Sequence, residues 1–184
     1  MTQTRPGLLS LKNCALDSED LAKLCNFAGT GRVRVRFTEI DLSHNTKLHG
    51  GGRHLGRLLV RIPPCDAGSA LTLDNCNLQT EDIQAMHQVI QEEQPTGKLN
   101  IRKLNLSNNH LKDSGKALAE ILERMPEWSN VTLVNCGLSS LDMQRISKSY
   151  ASMNINGLKL DLSGNDLSGA GETLNDIMVT NKYF

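Results

Sequence analysis

An apolar residue, one spacer, leucine, two spacers, cysteine or asparagine, one spacer and leucine recur six times along the chain. The copies are Leu9-Leu11-Cys14-Leu16, Ile40-Leu42-Asn45-Leu48, Leu71-Leu73-Cys76-Leu78, Leu104-Leu106-Asn109-Leu111, Val131-Leu133-Cys136-Leu138 and Leu160-Leu162-Asn165-Leu167. Only the second carries an extra residue before its last leucine. Apolar alternation at period two predicts a short half-buried strand at the start of each copy. Past the pattern the apolar spacing lengthens to three and four, as in Leu118, Ile121, Leu122 and Met125, in Leu174, Ile177 and Met178, and in Ile83, Met86 and Ile90, which predicts a helix. Each copy therefore reads as a strand followed by a helix.

Two registers are interleaved. Cysteine and asparagine alternate strictly at the pivots, and four residues past the last leucine stand Asp20, Asp82 and Asp142 in the cysteine copies but Gly52, Gly115 and Gly171 in the asparagine copies. An inward-turning chain buries backbone groups that need partners. An asparagine side chain, with two donors and an acceptor, can bridge neighbouring turns, and cysteine fills the same slot as a small apolar group with a weak donor. The pivot cysteines are expected to be buried ladder residues, and the acidic residues at the helix starts to favour the positive end of the helix dipole. On this phasing Asn109→Ala should cost about 1 to 3 kcal/mol, and Asn108→Ala, at an exposed strand end, less than about 0.5 kcal/mol.

Composition narrows the class. With 20 Lys+Arg against 20 Asp+Glu, the chain has no bulk charge for binding nucleic acid. No apolar run reaches the roughly 20 residues of a membrane span, and the first residues lack the apolar stretch of a signal peptide. Five cysteines with no C-x-x-C pair fit a cytoplasmic protein without disulfides. The two Asn-x-Ser/Thr sequons are then chance. The length suits one domain spanning 1–184.

The motif L-x-L-x-x-C-x-L followed by L-x-L-x-x-N-x-L, at roughly 60 residues per pair, resembles the ribonuclease-inhibitor-like leucine-rich repeats over residues 6 to about 180, most closely the leucine-rich-repeat region of NOD-like receptors. The resemblance implies an α/β solenoid, a right-handed horseshoe with a concave parallel sheet and convex helices. It also implies a non-enzymatic protein-interaction module, for ligand recognition or autoinhibition, inside a larger protein. Other members of the subclass leave open a regulator of a small GTPase resembling the Ran activator, or a structural assembly module, because a shared fold does not transmit a function. In that frame the concave face carries Glu39, Asp41, His44, Asp74, Lys103, Asn105, Asn108, Lys159 and Asp161 as candidate protein-binding residues. It has no aromatic residue, so the acidic, aromatic-studded cavity that a ribonuclease inhibitor would need is missing. Trp128 aligns with the core positions Phe37 and Ile101.

The remaining chemistry is sparse. Arg32, Arg34 and Arg36 alternate with apolar residues in an extended segment, and with Arg53 and Arg57 they make the one strong local charge bias, read either as a solvated connector or as a docking patch for an acidic partner or another domain of the same protein. The glycine run at 50–52 could cradle an anion at a helix start, but it aligns with Gly115 and Gly171 and lacks the Lys-Ser/Thr ending of a phosphate loop. The five histidines have no metal-ligand spacing, and no catalytic, metal or cofactor residue is nominated. Apolar residues at the two ends of the stack, Ile177, Met178, Val179, Tyr183 and Phe184 among them, suggest self-association, most simply as a two-fold homodimer.

Overall fold

The computed structural model describes residues 7–29, 37–63, 68–126, 129–152 and 159–180; the side chains of 27–29, 149–152 and 176–180 lie outside that description. Six strand–helix units follow one another: β1 (Gly7–Ser10), α1 (Ser18–Gly29), β2 (Phe37–Asp41), α2 (Gly52–Arg61), β3 (Ser69–Thr72), α3 (Thr80–Glu93), β4 (Ile101–Asn105), α4 (Gly115–Glu123), β5 (Asn130–Thr132), α5 (Ser140–Ser152), β6 (Lys159–Asp161) and α6 (Gly171–Thr180). The strands form one sheet in the order β1-β2-β3-β4-β5-β6, every neighbouring pair parallel. Each helix packs on the next in sequence. The result is an α/β solenoid in which every unit touches chiefly its neighbours.

The core lies between sheet and helices and is built by the two predicted periodicities. Leu42, Leu73, Leu106 and Leu133 are fully buried at the strand ends, and Ile83, Met86, Ile90, Leu118, Ile121 and Leu122 close over them from α3 and α4. The extra residue in the second copy is absorbed in a turn where the Leu48 N–H donates to the Asn45 carbonyl at 3.2 Å. Leu48 is still fully buried, so the insertion does not shift the phase.

The asparagine pivots form the ladder their chemistry suggested. Asn109 Oδ1 accepts from the N–H groups of Cys76 and Leu78 at 3.1 and 2.9 Å, and its Nδ2 donates to the carbonyls of Leu73 and Leu106 at 2.8 and 2.7 Å. Asn45 does the same for Cys14, Leu16, Leu11 and Leu42, and Asn165 for Cys136, Leu138, Leu133 and Leu162. Each asparagine thus reaches back one unit and ties a cysteine-type unit to itself.

The cysteine pivots face the other junction. The Cys76 thiol donates to the Leu42 carbonyl and the Cys136 thiol to the Leu106 carbonyl, each at 3.2 Å and each in the preceding asparagine-type unit. Cys14 corrects the expectation that all three are buried: it is exposed, because no asparagine-type unit precedes it among the described residues. Burial pushes the thiols of Cys25, Cys76 and Cys136 up to about 11. Since the thiolate is the reactive form, a maleimide at neutral pH and low protein concentration is expected to label Cys14 in the native state and the other three only after denaturation. Mass-spectrometric mapping of the labelled peptides checks this. Cys65 lies outside the described residues.

A second correction concerns the strand ends. Asn13, His44, Asn75, Asn108 and Asn135 all have positive φ, between 52° and 61°, and Gly164 has 73°. Asparagine is favoured there because it tolerates the left-handed region, which costs an ordinary L-residue roughly 1–2 kcal/mol. Asn108 Nδ2 also donates to Asp74 Oδ1 at 2.6 Å. Asn108→Ala is therefore expected to lose about 1 kcal/mol rather than to be neutral, and Asn108→Gly to recover most of the loss in urea melts.

Candidate binding face of the sheet

Ladder register places side chains in rows across the exposed face of the sheet. One row runs Leu8, Glu39, Ala70, Lys103, Asn130 and Lys159; the next runs Ser10, Asp41, Thr72, Asn105, Thr132 and Asp161. Of the residues singled out from sequence, Glu39, Lys103 and Lys159 thus share the first row, and Asp41, Asn105 and Asp161 the second. In the first row Leu8 is the most exposed large apolar side chain among the described residues, at 62%. Lys103 and Lys159 are exposed and Glu39 half-buried.

The second row has a structural task that the sequence reading missed. Asp41 Oδ1 accepts from the Ser43 N–H and hydroxyl at 2.9 and 2.6 Å, Asp161 Oδ1 from those of Ser163 at 3.1 and 2.7 Å, and Asn105 Oδ1 from the Ser107 N–H at 2.9 Å. These are Asx turns that end the strand. The Asp/Asn-Leu-Ser spacing, present in all three asparagine copies, was the available signal. The Ser163 hydroxyl and N–H hold the Asp161 carboxyl below its ordinary value.

His44, Asp74 and Asn108 form a polar chain along the strand ends. His44 Nε2 lies 3.6 Å from Asp74 Oδ2, Asn75 Nδ2 lies 3.1 Å from His44 Nδ1, and Asn135 Nδ2 donates to Asn108 Oδ1 at 3.1 Å. These side chains satisfy one another. By contrast, Glu39, Lys103 and Lys159 make no ion pair with any described residue.

The basic residues of α2 lie away from this face, against α3. Arg53 Nη2 donates to Glu92 Oε2 at 2.7 Å and Arg57 Nε to Glu93 Oε1 at 2.8 Å, with Arg61 Nη2 3.9 Å from Glu93 Oε2. The Arg53 guanidinium holds the Glu92 carboxyl below its usual range. Arg32, Arg34, Arg36 and Trp128 lie outside the described residues.

The glycine run does cradle an anion, and the anion is internal. The N–H groups of Gly50 and Gly52 donate to Asp82 Oδ1 at 2.8 and 3.2 Å, while Asp82 Oδ2 accepts from the Gln79 N–H at 3.0 Å and lies 2.8 Å from His49 Nδ1. Asp142 repeats the arrangement one pair later, its Oδ1 accepting from the Gly115 N–H at 2.9 Å and its Oδ2 from the N–H groups of Asp113 and Ser139 at 3.2 and 3.0 Å. Both carboxylates are almost completely buried. The aspartates at position four past the motif are thus clamps between units, beyond a general preference for acidic residues at helix starts.

The clamp implies acid sensitivity. Burial acts to raise the Asp142 carboxyl, but the donors on Ser139, Gly115 and Asp113 outweigh it and hold the group below its ordinary value. A group depressed in the folded state contributes stability that is full above its unfolded value and is lost as pH falls through the folded one. Native stability is therefore expected to decline below about pH 4, and Asp142→Asn to flatten that part of a urea-midpoint-versus-pH curve. An unchanged slope would show that the carboxylate carries none of it.

No group of three or more His, Cys, Asp or Glu side chains that could hold a metal occurs among the described residues, and no described helix is long and apolar enough to cross a membrane. Residues 100–122, which run from the residue before β4 through most of α4, match the family model of the leucine rich repeat. No curated protein matches the chain. The matched stretch covers one strand–loop–helix unit, all but the end of its helix, of the six that the structure stacks, so the fold is a leucine-rich-repeat solenoid. That repeat supports a protein-interaction module.

Proposed function

We propose that this chain is the ligand-recognition or autoinhibitory region of a larger cytoplasmic protein of NOD-like-receptor type, engaging a protein partner or another domain of the same protein through the exposed face of its sheet. The observation that carries the choice of face is the row of Leu8, Glu39, Lys103 and Lys159. Its three charges are left unpaired by the described residues, while Asp41, Asn105 and Asp161 beside it are consumed in turns and His44, Asp74 and Asn108 in the strand-end chain. Fixed charges on a rigid sheet favour specificity and on-rate, because wrong partners meet like charge. The alternation of cysteine and asparagine units supports the receptor type over the other readings.

Three measurements test it. The transcript that encodes these residues is expected to carry a nucleotide-binding domain upstream, and a transcript without one would overturn the receptor type. Once a partner is in hand, the triple variant Glu39→Lys, Lys103→Glu, Lys159→Glu should weaken binding at least about tenfold with an unchanged urea midpoint. Binding that survives this variant would move the contact off the sheet face. A small GTPase whose hydrolysis accelerates when the chain is added would instead favour the regulator reading.

A further inference from the structure

Along the exposed face of the sheet, the first row sets its charges at even intervals. Glu39 on β2, Lys103 on β4 and Lys159 on β6 are separated by one strand each, with the uncharged Ala70 and Asn130 between them. Neighbouring strands lie about 4.8 Å apart, so the row reads negative, positive, positive at steps of about 9.6 Å, about 19 Å in all. Lys103, Asn130 and Lys159 are exposed, Glu39 and Ala70 half-buried. The half-buried hydroxyls of Thr72 and Thr132, in the next row, border the same track.

A partner that crosses the strands matches this row only if its own side chains return to one face at the same step, and backbone conformations differ in that respect. In a β-strand every second residue shares a face, at about 6.7 and then about 13.4 Å, which misses the step on both sides. An α-helix returns after seven residues, about 10.5 Å along; over the whole row it overshoots by about 2 Å and drifts about 40°. A polyproline-II segment returns at every third residue, about 9.3 Å along and without drift, and six residues span about 18.6 Å, within about 1 Å of the row. Its backbone makes no internal hydrogen bonds, so the bordering hydroxyls and the Asn130 amide meet peptide groups that have no partner of their own.

We propose that the sheet face takes an extended, polyproline-II-like segment of a partner, laid across the strands with a basic residue over Glu39 and acidic residues three and six positions along over Lys103 and Lys159. The inference rests on the sheet face being the contact surface, and it adds the conformation and the charge order of what docks there. Proline rings are not what selects the segment: their recognition uses aromatic-lined grooves, and neither row carries an aromatic residue. Charge spacing selects it instead. One exposed carboxylate opposes the match, that of Asp161, two positions from Lys159 on β6. Its Oδ1 closes the turn with Ser163, a duty that Asn105 performs for Ser107 as a neutral amide. Asp161→Asn therefore keeps the acceptor of the turn and removes the opposing charge.

Oligoproline peptides carrying one lysine and two glutamates test it, titrated at low salt into the isotope-labelled chain and followed by its amide shifts. With a charge at every third position, in both chain orders, the shifts should fall on β2 to β6. The better order should bind at least about fivefold tighter than the same composition with a charge at every second position. An alanine-rich helix with its charges seven apart should bind no tighter than that control. Asp161→Asn should strengthen binding of the matched peptide about twofold with an unchanged urea midpoint. The triple variant Glu39→Lys, Lys103→Glu, Lys159→Glu should come to prefer one glutamate followed by two lysines at the same spacing, a gain that an unfolded chain could not show. Equal binding at both spacings, a tighter-binding helix, or a matched peptide that gives no shift at millimolar concentration would overturn the proposal without touching the choice of face. Shifts confined to the helices would overturn the choice of face as well.

Discussion

Asn109→Ala is expected to cost about 3 kcal/mol in urea-monitored unfolding, several times the effect of the same change at an ordinary surface asparagine. The side chain is 2% exposed and holds the Cys76 and Leu78 N–H groups together with the Leu73, Leu106 and Ser107 carbonyls. Truncation leaves the Cys76 and Leu78 N–H groups and the Leu73 carbonyl without a partner in a buried turn, each such orphan costing about 1–3 kcal/mol, while the Ser107 carbonyl keeps the Asn75 N–H and the Leu106 carbonyl keeps the Cys136 thiol. Some relaxation keeps the total below the sum. Asn165→Ala makes the internal comparison, because it removes the equivalents of four of those five bonds at a half-buried site. Water can replace the lost partners there, and the expected loss is about 1 kcal/mol. Equal losses at 109 and 165 would mean that burial does not set the cost.

Gly115→Ala is the second large effect, expected at about 3 kcal/mol by urea melt. Its added methyl would stand 2.5 Å from the Asp142 Cα and 2.7 Å from the Asp142 carbonyl oxygen. Both obstacles are backbone, so relief requires α4 and α5 to separate, and that separation pulls the Asp142 carboxylate from the Gly115 N–H. Gly52→Ala meets the equivalent backbone of Asp82 and should behave alike. Gly171→Ala should be neutral within about 0.5 kcal/mol, since the position is open. Three glycines that the repeat aligns are thereby separated by what packs on them.

The fold was largely legible because both of its periodicities are strong and repeated. Leu9-Leu11 and its five counterparts could be phased against one another, and the sheet register agrees with that phasing residue by residue, Glu39 facing Ala70 and Lys103 facing Asn130. An asparagine between two leucines at a pivot has one chemistry that suits burial, so its role followed from residue type. Cys14 escaped this logic because burial depends on the neighbour that a pivot faces, and the cysteine pivots face backwards. A repeat pattern treats all copies alike, whereas the burial of each pivot is set by the unit that packs on it.

The candidate face was legible in its members and not in their duties. Spacing alone put Glu39, Asp41, Lys103, Asn105, Lys159 and Asp161 on one side of the sheet. Only the structure separates Asp41, Asn105 and Asp161, whose side chains close Asx turns, from the charges that remain unpaired among the described residues. Arg53 and Arg57 read as a local excess of positive charge, but their partners Glu92 and Glu93 are more than 35 residues distant in the chain and arrive only when α3 packs on α2.

By itself, then, the sequence determined the strand–helix unit, the two alternating registers and the inward set of leucines and asparagines, because these follow from periods of two and three to four and from the hydrogen-bonding capacity of one side chain. The tertiary structure alone decided which polar groups are already spent. The Asp82 and Asp142 clamps, the left-handed strand ends and the open turn at Gly171 depend on groups some 30 residues apart meeting across a junction, and local pattern carries no record of who meets whom.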